Sequence, residues 1–236
     1  MTTILLAAAA LGQSSAKISD CWQTNFNDAS FTAVVGTSNQ KELAKINKDF
    51  ANSYRFKSTT VRLKEPFKLR LETKVDDMDI LFIVNGVTRV VRIPSRGIRN
   101  KENLAKSPGK RQTSLDFGLL TPALFNNLFE AKFIRTDRAT GDHVFDLTYI
   151  PALDDTTRHR IWVDPKQRYV NKREWYSQNG GHLLATFLYS EAKQFGTIWF
   201  PTKLTVKNAD NKVAGSTTYS GVKVNSGVAD STFNVN

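Results

Sequence analysis

The spacing of apolar residues changes period once in the first half of the chain, near residue 55. In TSNQKELAKINKDFANSY, Leu43, Ile46 and Phe50 recur at helical intervals. Asn39, followed three positions later by Glu42, has the form of a capping box. The segment predicts one short amphipathic helix. From Arg55 the period is two. In FKLRLETK, Phe67, Leu69 and Leu71 fall on one side and Lys68, Arg70 and Glu72 on the other, as in an antiparallel strand with one wet face. DILFIVNG is apolar at both parities, so it belongs in mid-sheet with cover on each side, and Asn85-Gly86 turns it into TRVVRIP as a hairpin.

The stretch SRGIRNKENLAKSPGKRQ reads as a loop. Thr121 as N-cap and Pro122 at the first helical position then open a second helix, PALFNNLFEAKF, striped by Leu124, Phe125, Leu128 and Phe129. From Phe133 onward only strands are expected: KFIRTD, HVFDLTYI, RHRIWVD, RYVNKREWY, HLLATFLYSEAK, IWFPTKLTVKN and STTYSGVKVN. Their connections are short and turn-like, with no room for crossover helices, which makes the sheet an antiparallel meander. The fold class is therefore α+β: one large curved antiparallel sheet with two or three helices covering its concave side, in one domain over residues 17–236.

The leader changes the picture. MTTILLAAAALGQSSA carries a short apolar core, Ile4 to Leu11, and a small-x-small site at Ser14-Ser15-Ala16, as in a secretory signal cleaved after Ala16. The apolar run is too short to span a bilayer, so an exported, soluble mature protein is expected. Cys21 is the only cysteine, so no internal disulfide can form, and Asp20 occupies the position where lipid attachment requires a small residue.

The formal charge of +11 favours anionic partners. Its densest stretch, Arg92 to Arg111, holds seven Arg or Lys against Glu102 alone. Phospholipid headgroups or an anionic membrane surface suit that loop, with Lys110 and Arg111 as the contacts. No recognition-helix or stacking motif points to nucleic acid.

Catalytic patterns are missing. His143, His159 and His182 lie in separate strands or turns, and the lone cysteine rules out a cysteine-rich zinc site. Asp76, Asp77 and Asp79 lack the turn glycine and the closing Glu of a calcium loop. The arginines beside His159 disfavour its protonation. Cys21 has no evident His partner, and no phosphate-cradling or nucleophile-elbow motif occurs. The expectation is a binding protein rather than an enzyme, without cofactor or metal.

The aromatics supply the positive signal. Trp162, Trp175, Phe187, Trp199 and Phe200 crowd the strand-rich half and exceed what two small helices can cover. They read as the lining of an apolar cleft, with Pro201 marking a sheet edge beside it. RIWVDPKQRYVNKREWYSQNGGHLLATFLYSEAKQFGTIWFPTKLTVKN, with the closing YSGVKVNSGVADSTFNV, resembles the bacterial outer-membrane lipoprotein-sorting proteins of the LolA/LolB-like superfamily. Upstream, LKEPFKLRLE, IVNG and SPGKRQTSLDFGLLTP are similar to the same family, and the likeness spans Lys41 to Val235.

The resemblance implies an incomplete β-barrel with helices as its lid. It also implies binding of lipid or lipoprotein acyl chains in the bacterial periplasm or cell envelope, in a carrier or sorting role. The acyl-binding residues expected are Phe67, Leu69, Leu71, Phe82, Trp162, Trp175, Phe187, Trp199 and Phe200. The family's lid-holding arginine before the early-strand proline is replaced here by Glu65. The alternative is a regulatory or structural envelope module of the same fold, binding a protein partner along an exposed edge at IWFPTKLTV.

Overall fold

Two-residue periodicity dominates the molecule. In the computed structural model, which describes residues 15–179 and 181–236, thirteen strands form one antiparallel sheet. They are β1 (Asp28–Ser38), β2 (Ser58–Lys64), β3 (Lys68–Val75), β4 (Met78–Asn85), β5 (Thr88–Ile93), β6 (Ile98–Asn103), β7 (Phe129–Thr136), β8 (His143–Tyr149), β9 (Arg158–Val163), β10 (Val170–Tyr176), β11 (Leu183–Ser190), β14 (Lys203–Asn208) and β15 (Val213–Val224). A separate hairpin joins β12 (Lys193–Phe195) to β13 (Ile198–Phe200).

The spatial order is β6-β5-β4-β3-β2-β1-β15-β14-β11-β10-β9-β8-β7. Each half is a meander of sequential neighbours, and the halves meet where β1 pairs with β15. The sheet does not close on itself, because β6 and β7 are its two free edges. The expected α+β class and curved open sheet hold.

Register sorts the side chains by face. In the first half, Val61, Leu71, Phe82 and Val91 form one cross-strand row, with Leu63, Leu69 and Val84 in the next on the same face. These face the helices. The opposite parity carries Arg62, Arg70, Ile83 and Val90. Ile83 and Val90 are fully buried because the C-terminal segment crosses their face. Its short 3-10 turn, Asp230–Phe233, buries Phe233, while Arg70 donates to the Thr232 carbonyl and Asn85 to that of Phe233. Ile80–Val84 is thus covered from both sides, as its two-sided apolar pattern requires. The turn before it is made by Asp76 and Asp77, both at positive φ, a conformation Asp tolerates. These acids are turn residues.

The helices are shorter than the sequence suggests. The first predicted helix breaks at Ile46-Asn47 into α1 (Gln40–Ala44) and α2 (Lys48–Ser53). Asn39 caps the first by accepting from the Glu42 N–H, and Asn47 starts the second by accepting from the Phe50 N–H at 2.6 Å. The second predicted helix ends at Asn127 as α3 (Pro122–Asn127), after which Phe129–Thr136 pairs with β8. Within the expected basic loop, Ile98–Asn103 forms β6 on β5. The segment before Ser38, given no element by the sequence reading, is β1 at the centre of the sheet.

Two expectations about exposure fail. The KLTV part of IWFPTKLTV is no edge, since β14 is hydrogen-bonded on one side to β11 and on the other to β15, whereas IWF forms β13, paired to β12 alone. Pro201 interrupts the chain between β13 and β14 and is itself buried. Gly118, at φ 78°, lets the backbone approach it so closely that a Cβ there would lie 3.0 Å from Pro201 Cγ. Nor is Cys21, read near the predicted cleavage site as having no His partner, an isolated surface thiol. It is fully buried, and its Sγ lies 3.9 Å from His143 Nδ1, a partner the sequence did not reveal. Burial and the nearby Asp20 push the thiol's pKa up to about 11, so it stays protonated and unreactive.

Candidate functional site

The concave face of the sheet is not filled by its own side chains. A cavity of about 490 Å³ lies between the Val61–Leu71–Phe82–Val91 row, helix α2 and the inner face of β10, β11, β14 and β15. Phe50 within α2 and Tyr54 at its C-cap lie with tilted rings 5.6 Å apart, and Phe50 meets Phe187 edge-on at 5.9 Å. Phe117 joins from the 3-10 turn Ser114–Phe117, edge-on to Tyr219 at 6.0 Å. Such mixed aromatic and aliphatic linings accept apolar guests without polar matching.

Polar lining groups occupy two places. Asp49, Asn52, Ser53, Lys110 and Gln112 are exposed and form a hydrophilic rim. Lys110 and Arg89 both pair with Glu102, Lys110 at 2.9 Å. Arg173 is buried in the interior wall. Its guanidinium lies over the Phe187 ring, 4.2 Å from the centroid, and Nη1 is 3.0 Å from Asp116 Oδ1.

Of the residues expected to hold acyl chains, Leu71, Phe82 and Phe187 line this cavity, as does Lys110 from the expected headgroup contacts. The others are elsewhere. Leu69 and Phe200 are core residues, Phe200 packed edge-on against Phe31 at 5.3 Å. Phe67 is half-buried beneath Arg111, whose guanidinium carbon is 4.9 Å from its ring centroid. Trp175 shares the concave face but packs against the core away from the cavity. Trp162 points the other way: its indole N–H donates to Asp137 and Lys172 Nζ sits 3.3 Å from its ring centroid. Trp199 lies on the β12–β13 hairpin beside the N-terminal segment, where its carbonyl accepts from Gln23.

The residues that sequence reasoning missed are Phe50, Tyr54, Phe117, Arg173 and Tyr219. Phe50 was readable from helical spacing, and Arg173 shares the parity of Trp175.

Glu65, where the resemblance implied a lid arginine, is half-buried and accepts from Thr121 Oγ1 at 3.0 Å, at the N-cap of α3. Burial raises its pKa above the ordinary carboxylate value. His159 is buried between Phe129 and Tyr149, and burial, followed by Arg173 and Arg158, holds its pKa well below the usual imidazole value. Among the described residues no cluster of three His, Cys, Asp or Glu side chains is placed to hold a metal.

An open antiparallel half-barrel with short helices over an apolar hollow defines the LolA-like fold, and this chain has it. A LolA superfamily protein from Nitrosomonas europaea superposes with a TM-score of 0.61 at 16% identity, covering 92% of this chain and 94% of the other. A domain described as an outer membrane lipoprotein-sorting protein, from Vibrio parahaemolyticus, gives 0.60 at 13% identity over 92% and 93%. A DUF1329 family protein from Desulfovibrio piger gives 0.59 at 11% identity over 92% of each chain. A family model described only as "Uncharacterized protein" matches residues 121–236. No curated protein matches the chain significantly. The leader expected at residues 1–16 falls almost entirely outside the described residues. Among those described, no helix is long and apolar enough to cross a membrane.

Proposed function

We propose that the protein binds the acyl chain of a lipid or lipoprotein in its concave cavity and acts as a carrier in the bacterial cell envelope. The observation that carries this reading is the apolar hollow of about 490 Å³ left beneath the helices. Each methylene moved from water into such a lining contributes about 0.8 kcal/mol, so a single chain supplies enough affinity for reversible transport without covalent chemistry. The polar rim with Lys110 suits a headgroup left in solvent, and the basic strand β6 suits approach to an anionic membrane surface. Neither role requires catalysis.

The test is native mass spectrometry of protein purified from its host, with lipid extraction of the same sample. A lipid adduct that survives purification, or reloading of delipidated protein from lipoprotein-containing membranes, is the expected result. A clean apo mass that takes up no lipid refutes the proposal.

A protein partner is favoured only by the free edges β6 and β7. Arg99 and Lys101 on β6, and Glu130, Lys132 and Arg135 on β7, are charges of the kind that guard an edge against strand addition.

A further inference from the structure

We propose that the part of the cavity wall formed by Arg173 is a carboxylate site, in which Arg173 receives the head of a long-chain fatty acid whose tail lies along the apolar lining. This rests on the acyl-chain reading above and names the ligand class.

Arg173 is only 6% exposed, yet it lines the cavity. A guanidinium carries five N–H donors and stays charged at any physiological pH. Here one ion pair, to Asp116, serves Nη1, while Nε is buried with no acceptor at all. A buried donor on a charged group left without a partner is costly. The ion pair explains part of this arrangement. Asp116 also accepts from the Thr113 N–H at 2.9 Å, so Arg173 fastens the 3-10 turn Ser114–Phe117 to the sheet. That structural duty uses one edge of the guanidinium; Nε is enclosed by protein and has no acceptor.

The plane of the group is fixed by Phe187 beneath it, as a preorganised anion receptor requires. Arg89 and Lys110 are both paired to Glu102 at the rim, so Arg173 is the cation of the interior wall. Ester-linked acyl chains offer no anionic group to this part of the wall, whereas a free fatty acid does.

The experiment compares hexadecanoate with its methyl ester as displacers of an apolar fluorescent probe from the full chain. The wild-type protein is expected to prefer the acid by about tenfold or more, and Arg173→Met to bring the acid-to-ester ratio close to one. Asp116→Asn, which keeps an acceptor for Thr113 but releases the guanidinium, is expected to raise that ratio, and it decides the matter if Arg173→Met does not fold. Equal binding of acid and ester by wild type, or a preference that survives Arg173→Met, overturns the carboxylate site and leaves acyl binding standing. Failure of wild type to bind either compound sinks the acyl-chain reading itself.

Discussion

Filling the hollow from its centre separates a binding cavity from a surface groove. Ala33 on β1 lines the cavity and sits in register between Thr59 of β2 and Tyr219 of β15. At roughly 30 Å³ for each methylene-sized group, 490 Å³ holds about sixteen of them. Across a series of saturated alkyl methyl esters, affinity should rise by ~0.8 kcal/mol, about fourfold, per methylene and then level off near sixteen carbons. The indole of Ala33→Trp takes about five of those places. The plateau should then move down to about eleven carbons, and hexadecanoate methyl ester should lose up to ~4 kcal/mol, a factor of ~10³. Probe displacement measures the series, and the thermal midpoint checks that the variant folds. An unchanged plateau in the folded variant, or affinity that keeps climbing past eighteen carbons, would refute the cavity as the binding site.

Two further outcomes follow from neighbouring contacts. Gly215 lies so close under the Tyr54 ring that a Cβ would fall 2.3 Å from its edge; Gly215→Ala should push α2 off the sheet and cost about 1–3 kcal/mol, read as a lowered melting midpoint. Glu65 has a folded-state pKa raised by burial, so the folded protein holds its proton more tightly than the unfolded chain. Its contribution therefore weakens as pH rises from the ordinary carboxylate value through the folded one. Denaturant titrations should show the stability gap between Glu65→Gln and wild type moving in favour of the variant between pH 4 and pH 7.5, and a gap independent of pH would refute this account.

Much of the architecture was legible because strands alternate. Where alternation is absent or doubled, the sequence misleads. β6 carries Arg99, Lys101 and Glu102 and has almost no apolar face, because an edge strand needs only backbone pairing to β5. Residues 128–133 satisfy both periods: Leu124, Phe125, Leu128 and Phe129 at helical spacing, but Phe129, Ala131 and Phe133 at strand spacing. Pairing with β8 decides for the strand.

β1 was readable from Phe31, Ala33 and Val35 at alternate positions, though small polar residues dilute the signal. For the site, the difficulty is parity. RIWV in β9 is apolar on both faces, so nothing local states that Ile161 and Val163 face the core while Trp162 lies outside under Lys172. Conversely, the run Lys172-Arg173-Glu174 looks like a solvated face, and only the pairing of Arg173 with Phe187 places its guanidinium indoors.

The seam between β1 and β15 joins residues 188 positions apart, as in the hydrogen bond from Ser220 to Thr32. A ribosome must deliver nearly the whole polypeptide before the centre of the sheet can zip, and a contact that distant in sequence forms slowly. Until then neither meander can gain its central neighbour, so the hollow they share is completed last.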